Sequence, residues 1–209
     1  MLMEEQHDEM RSDIYLLIST LCRQAPDRDL VEFLAHLEIE SGINQMTAAW
    51  QDLSAAAKEA QVSALEDEYQ DLFIGIGKGE VVPFASWHLT GSLMEKPLAA
   101  LRQTLTQLGL EREDGVKEPE DHIAAICEVM AALIEQQSEP EAKAFFNQHL
   151  ATWYGSFCRQ MESASSAQFY KAVAVLMAAF FDVEQVKYAT SPVSTKAKMK
   201  IDVKNITTK

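Results

Sequence analysis

Apolar side chains recur three or four positions apart along almost the whole chain, and this spacing restricts the fold more than any other feature of the sequence. It is the spacing of one face of an α-helix, and residues 1–189 show no convincing strand pattern. The pattern therefore predicts an all-α fold, a single globular bundle of about eight helices. The clearest apolar stripes are Ile14, Leu17, Ile18 and Leu21; Leu30, Phe33, Leu34 and Leu37; Leu65, Tyr69, Leu72, Phe73 and Ile76; and Leu98, Leu101, Leu105 and Leu108.

Two irregular segments interrupt the helical pattern. The first, residues 75–91, begins with the alternating glycines Gly75, Gly77 and Gly79. A phosphate-binding loop would follow a strand, whereas the segment before these glycines is helical, so we expect them to end that helix and turn the chain sharply. The second segment, residues 109–118, is charged. We predict that it is a hinge between the N-terminal and C-terminal halves of one domain.

The charge of the chain is strongly negative and unevenly distributed. The net charge is −14, but the last twenty residues hold five lysines and one acid, so residues 1–189 hold 13 basic and 31 acidic side chains, a net charge of −18. A body of this charge would repel nucleic acid and anionic lipid and would attract a basic peptide. We expect residues 1–189 to form the domain and residues 190–209 to be a disordered, lysine-rich tail.

The sequence lacks the usual marks of export, membrane insertion and metal chemistry. The N-terminus is acidic, and the longest apolar run, residues 172–181, is about half as long as a membrane-spanning helix, so we expect a cytoplasmic protein without membrane insertion. Cys22, Cys127 and Cys158 lack paired spacing and lie in apolar helical runs, where buried free thiols are expected. Neither GxSxG nor HExxH occurs and the histidines are scattered, so no metal site, cofactor or catalytic residue is predicted.

The acidic element from Glu118 to His122 precedes one of the most apolar helical runs. Pro119 suits the first turn of a helix, and Glu118 and Asp121 would place negative charge at the positive end of the helix dipole. The plainest interpretation is that Asp121 caps this helix and that His122 is a surface residue. The alternative is that both residues belong to a functional site beside the hinge.

Two motifs in this chain match a known pattern. The first motif has two parts, Tyr-x-x-Leu-Phe from Tyr69 and Pro-Phe-x-Ser-x-His-Leu-x-Gly ending at Gly91, with nine residues between them. The second motif is Glu-Pro-x-Asp-His, which begins at Glu118. Together with Arg11-x-x-x-Tyr-x-Leu-Ile in the first helical stripe, they resemble the TorD/DmsD family of redox-enzyme maturation chaperones. The resemblance spans roughly residues 10–185 and leaves the lysine-rich tail outside it.

The resemblance implies an all-helical cytoplasmic chaperone, not an enzyme, that binds the twin-arginine leader and the apo form of a molybdenum-cofactor oxidoreductase. Members of the family assist cofactor insertion and delay export until the enzyme is mature. Some also bind guanine nucleotide weakly, and some form domain-swapped dimers, so we expect a monomer that can convert to such a dimer. The leader-binding residues carried over by the motifs are Pro83, Phe84, Ser86, His88, Glu118, Asp121 and His122.

Two other functions are open at this point. One is a helical enzyme, a hydrolase or nucleotide-dependent protein, that uses His122 and nearby carboxylates as acid and base. The other is a helical adaptor that binds partners without leader specificity. The acidic body favours the chaperone, because a leader with two arginines and an apolar core requires an acidic rim and an apolar groove.

Overall fold

The computed structural model describes residues 2–75 and 79–189, and within them the chain is all helical, which confirms the predicted fold class. Ile76 and the predicted tail, residues 190–209, lie outside the described residues. The described part has ten α-helices rather than about eight, because short helices occupy the segments between the long apolar stripes. They are α1 (Leu2–Arg23), α2 (Arg28–Ala35), α3 (Gln45–Glu59), α4 (Val62–Tyr69), α5 (Ala85–Thr90), α6 (Lys96–Leu108), α7 (Ile123–Glu135), α8 (Glu139–Phe145), α9 (Tyr154–Ser163) and α10 (Phe169–Tyr188).

Two of these helices continue as π-helical turns, Gln70–Ile74 after α4 and Phe146–Leu150 after α8. Gly75, with φ of +61°, ends the first of them, as the glycine-rich segment predicted. Gly79 lies so close to the preceding turn that a Cβ atom would come within 2.4 Å of the Leu72 carbonyl oxygen. This close approach explains why the segment contains glycine and lets the chain reverse direction toward α5.

The core of the protein joins the first and last parts of the sequence. Helix α1 packs antiparallel against α7: the Ser12 hydroxyl donates to Glu135 at 2.7 Å near one end, and the Ser19 hydroxyl donates to Glu128 at 2.8 Å near the other. Helix α10 packs against α3 and α9. The parts of the chain before and after residues 109–118 are therefore interleaved.

A buried ion pair fixes the start of the chain to its last described helix. Arg11 on α1 is 3% exposed, and its guanidinium makes two hydrogen bonds of 2.8 Å to the carboxylate of Glu184 on α10. The hydroxyl of Tyr15 donates to the same carboxylate at 3.0 Å, and Arg11 also donates to the hydroxyl of Tyr188. Because every charged atom of this cluster has a partner, its burial is tolerated.

The cysteines are buried free thiols, as their positions in apolar helical runs predicted. Cys22, Cys127 and Cys158 are free and buried, and they come from three different helices. Burial raises the pKa of each of these thiols, which keeps them protonated and unreactive near neutral pH. Among the described helices, none is both long enough and apolar enough to cross a membrane.

Candidate functional site

The two sequence motifs lie against each other, although the residues that pair, Phe84 and His122, are 38 positions apart. Phe84 and His122 form an isolated antiparallel bridge, with the Ala85 N–H donating to the Asp121 carbonyl and the Ile123 N–H donating to the Pro83 carbonyl, both at 2.9 Å. The two rings at the bridge meet edge to face, with 5.1 Å between their centroids. The bridge therefore fixes the start of α5 beside the start of α7.

Asp121 caps α5 across this bridge. Its carboxylate accepts a 2.9 Å hydrogen bond from the backbone N–H of Ser86 in the first turn of α5, and it is 1% exposed. Ser86 itself is fully buried, and its hydroxyl accepts from the Glu95 N–H at 3.4 Å. The prediction that Asp121 caps its own helix was wrong, because its carboxylate binds the free N–H of a different helix.

His122 is the residue that caps α7. Its Nδ1 accepts a 3.1 Å hydrogen bond from the Ala124 N–H, so the helix begins at Ile123 and not in the turn that contains Pro119. The side chain is 4% exposed, which overturns the interpretation of His122 as a surface residue. Burial, with a smaller effect from the Arg23 charge, lowers its pKa to about 3. A neutral imidazole with this pKa is a poor general base near neutral pH, so the geometry disfavours the enzyme mechanism based on His122.

His88 lies on the same short helix as Ser86 but contacts α9. Its Nε2 donates to the Val82 carbonyl at 2.8 Å, and its Nδ1 accepts from the Ser156 hydroxyl at 3.1 Å. Its ring stacks on Trp153 with 5.3 Å between centroids. Burial also lowers the pKa of His88. Of the seven predicted residues, the structure joins Pro83, Phe84, Ser86, Asp121 and His122 at the bridge. It places His88 against α9 and Glu118 beside Arg23 of α1.

Beside the bridge, the structure has an open groove of about 520 Å³ between α6, the loop of residues 109–122 and α7. Its floor is apolar and is built mainly from the facing sides of α6 and α7. Neither motif includes these floor residues, so sequence reasoning missed them. The signal that could have revealed them is the presence of two apolar residues in the otherwise charged loop. Besides Pro119, which belongs to the second motif, the apolar lining residues are Leu101, Leu105, Leu110, Val116, Ala125, Ile126, Val129, Ala132 and Phe145.

The rim of this groove is acidic. Five glutamates and two arginines line it, a net charge of −3. Arg23 bridges Glu118 at 3.2 Å and Glu128 at 2.8 Å, which fixes two of the glutamates in place. Within the part of the chain that the structure describes, the other two exposed rim acids, Glu111 and Glu113, have no ion pair. They are available to a cationic ligand.

The fifth rim glutamate, Glu120, is tied to two arginines. Arg102 lies 2.8 Å from its carboxylate and Arg112 lies 4.0 Å away. Partial burial acts to raise the pKa of Glu120, but the hydrogen bond and charge of Arg102 outweigh it and hold that pKa below its usual value. Glu120 therefore stays ionised and holds the loop against α6.

A smaller cavity of about 140 Å³ extends the groove toward α5. It shares Leu101 and Ile126 with the groove and is lined further by Asp121, Leu89 and Pro97. The Glu118–His122 element thus borders both recesses, with its glutamates on the groove and Asp121 on the smaller cavity. Among the described residues, no cluster of histidine, cysteine or carboxylate side chains could hold a metal ion.

Fold and groove together define an all-helical protein with an apolar, acid-rimmed recess. The profile of the nitrate reductase delta subunit family matches residues 38–159. The protein is 28% identical over 183 residues to the chaperone protein TorD of Actinobacillus succinogenes, covering 82% of this chain and 94% of the relative. It is 25% identical over 201 residues to the chaperone protein TorD of Vibrio cholerae, covering 85% and 91% of the two chains.

A solved structure shows the same fold. The crystal structure of an Archaeoglobus fulgidus protein described as a redox enzyme maturation protein superposes with a TM-score of 0.55 at 21% identity, covering 84% of this chain and 94% of that one. The chain therefore belongs to the nitrate reductase delta subunit family, the TorD-like redox-enzyme maturation chaperones that the two motifs predicted.

Proposed function

We propose that this protein binds the twin-arginine leader of a molybdenum-cofactor oxidoreductase in the groove between α6 and α7. The observation that supports this most is the combination of an apolar floor with an acidic rim in one recess. A twin-arginine leader has the complementary chemistry, two adjacent cations followed by an apolar segment. The groove volume of about 520 Å³ lies within the usual range for ligand sites.

In this proposal the two parts of the leader occupy different parts of the groove. The apolar segment lies on the floor beside Leu105 and Val129, where its burial supplies most of the affinity. The arginines lie at the rim near Glu111 and Glu113, which make no ion pair with the described side chains. Rim charges of this kind speed association and set the orientation of a ligand more than they add affinity.

Five of the seven predicted site residues then divide into two groups. Glu118 faces the leader directly, because it lines the groove. Pro83, Ser86, Asp121 and His122 are buried, so they act by holding the start of α5 and the start of α7 at the wall of the recess. Their substitution would change leader binding through the position of these helices.

The maturation role follows from where the leader is held. A leader enclosed in this groove is inaccessible to the export machinery, so the complex delays export while the apoprotein remains in the cytoplasm and receives its molybdenum cofactor. The partner is therefore the apo form of the catalytic subunit together with its leader. Release of the leader would follow maturation.

A leader-peptide titration tests this proposal. The full-length protein is titrated into a fluorescent twin-arginine peptide, and the dissociation constant is compared with that of the variant Glu111→Gln with Glu113→Gln. An exposed charge pair contributes up to about 1 kcal/mol to binding. The variant should therefore bind the peptide roughly 3- to 10-fold more weakly, and its affinity should depend less on the salt concentration. The matched control, Glu38→Gln with Glu40→Gln, removes the same charge from exposed positions outside the groove.

Two outcomes would contradict the proposal. One is equal weakening by both variants, which would mean that only the overall charge of the body attracts the peptide. The other is unchanged binding after both peptide arginines and its apolar segment are replaced, which would indicate an adaptor without leader specificity.

A further inference from the structure

The lysine-rich segment at the end of the chain has a pattern that leader binding by the body does not explain. Residues 196–204 read Lys-Ala-Lys-Met-Lys-Ile-Asp-Val-Lys, so charged and apolar residues alternate strictly. Alternation with a period of two separates the side chains of an extended chain onto two faces. One face would carry Ala197, Met199, Ile201 and Val203, and the opposite face would carry four lysines and Asp202.

The last described residues before this segment, Tyr188 and Ala189, contact a helix that lines the groove. The Asn147 side chain donates to the Tyr188 carbonyl at 2.9 Å, and Lys143 Nζ donates to the Ala189 carbonyl at 3.4 Å. Both donors flank Phe145, which belongs to the groove floor. Each donor is two positions from Phe145, so the tail starts on this helix about half a turn round from the recess that we assign to the leader.

The distances are compatible with entry into the groove. Passing halfway round a helix of about 11 Å diameter requires roughly 17 Å of chain. Residues 190–195, fully extended, reach about 20 Å, and residues 196–204 would then span about 27 Å more. The segment carries four positive charges and one negative charge, and the groove lining carries a net charge of −3.

We propose that residues 196–204 occupy the groove of the free protein in an extended form, with the apolar face on the floor and the lysines at the acidic rim. The tail then competes with the client leader for one site, and a client binds by displacing it. The competition rests on the proposed leader-binding function; the docking of the tail does not.

Photo-crosslinking within the full-length protein tests the docking without any leader. A benzoylphenylalanine at Ile201 should form intramolecular adducts with residues 98–133, identified by mass spectrometry after digestion. Adducts confined to the separate acidic cleft near Asp8, Asp13 and Glu135, adducts only between molecules, or no adducts would overturn the proposal.

A matched variant tests the competition. Exchanging residues within the pairs 198–199 and 200–201 (Lys198→Met, Met199→Lys, Lys200→Ile, Ile201→Lys) keeps composition and charge but destroys the alternation. A tethered segment has an effective concentration of about 1 mM. If its intrinsic dissociation constant is about 0.1 mM, it weakens leader binding about tenfold. The exchanged variant should therefore bind the leader about tenfold more tightly than the wild-type protein.

The outcomes separate the two proposals. Equal leader affinity of the wild-type protein and the exchanged variant would refute competition by the tail and leave leader binding intact. Adducts in the groove together with no measurable leader binding by either protein would retain tail docking and refute the leader-binding function.

Discussion

Replacing His122 should remove a large part of the acid sensitivity of this protein. In the folded state burial lowers the pKa of His122 to about 3, whereas the ordinary value, expected in the unfolded chain, is 6.5. Between these values the unfolded state binds a proton that the folded state does not, so stability falls as the pH decreases from about 6.5 toward 3. At 1.36 kcal/mol for each pH unit, His122 alone should cost about 2 kcal/mol between pH 7 and pH 5.

The variant His122→Asn isolates this effect. Asparagine is a good N-cap residue, so it can accept the Ala124 N–H in place of the imidazole but does not titrate. Urea unfolding at pH 7 and pH 5 should show that the variant loses about 2 kcal/mol less than the wild-type protein over this range. His122→Ala should show the same reduced pH dependence but also lose about 1 kcal/mol at pH 7, because it lacks the cap. Equal acid sensitivity of His122→Asn and wild type would refute a buried neutral His122.

Three further predictions follow from the contacts. Glu184→Gln should destabilise the protein by about 3 kcal/mol in urea unfolding, because it removes the buried counter-charge of Arg11 and leaves only the partly exposed Asp8, 2.7 Å away; a loss below 1 kcal/mol would contradict this. Asp121→Ala should cost about 1–3 kcal/mol, since the buried Ser86 N–H loses its acceptor, and a melt unchanged from wild type would refute the cap across the bridge. We also predict a monomer that converts slowly to a dimer swapped at residues 109–118, because the interleaved helices must separate first; size-exclusion chromatography giving one larger assembly at every concentration would exclude it.

The helical fold was accessible from the sequence because its information is local. Apolar residues spaced three or four apart mark a buried helix face wherever they occur, and the long helices α1 and α6 follow the stripes that begin at Ile14 and Leu98. The start of α7 was predicted four residues too early because the deciding bonds are not local. Pro119 and the acids near it suit a first turn, but the Ile123 N–H and the Asp121 carbonyl bond to the Pro83–Ala85 segment instead.

The candidate site was predictable only in part, because the bonds that assemble it are not local. Each motif is visible in the chain, but no local rule states that Phe84 pairs with His122 or that Asp121 caps α5. The sequence placed Asp121 and His122 in an acidic element beside the hinge, which suggested exposed residues that contact a partner. Both are buried by the pairing with the first motif, and both cap helices instead. The groove floor is formed by the facing sides of α6 and α7. In the sequence their apolar residues have the spacing of an ordinary helical core and give no sign of a groove.

Hydrogen–deuterium exchange of the full-length protein, with and without a saturating twin-arginine leader, tests the central claim most directly. A control peptide has both arginines replaced by glutamine and its apolar segment made polar. The account predicts that the leader, and not the control, slows exchange in residues 98–133, which form most of α6, the loop and most of α7 around the groove. Protection confined to the cleft of Trp87 and Arg159, or leader binding without protection in residues 98–133, would contradict it.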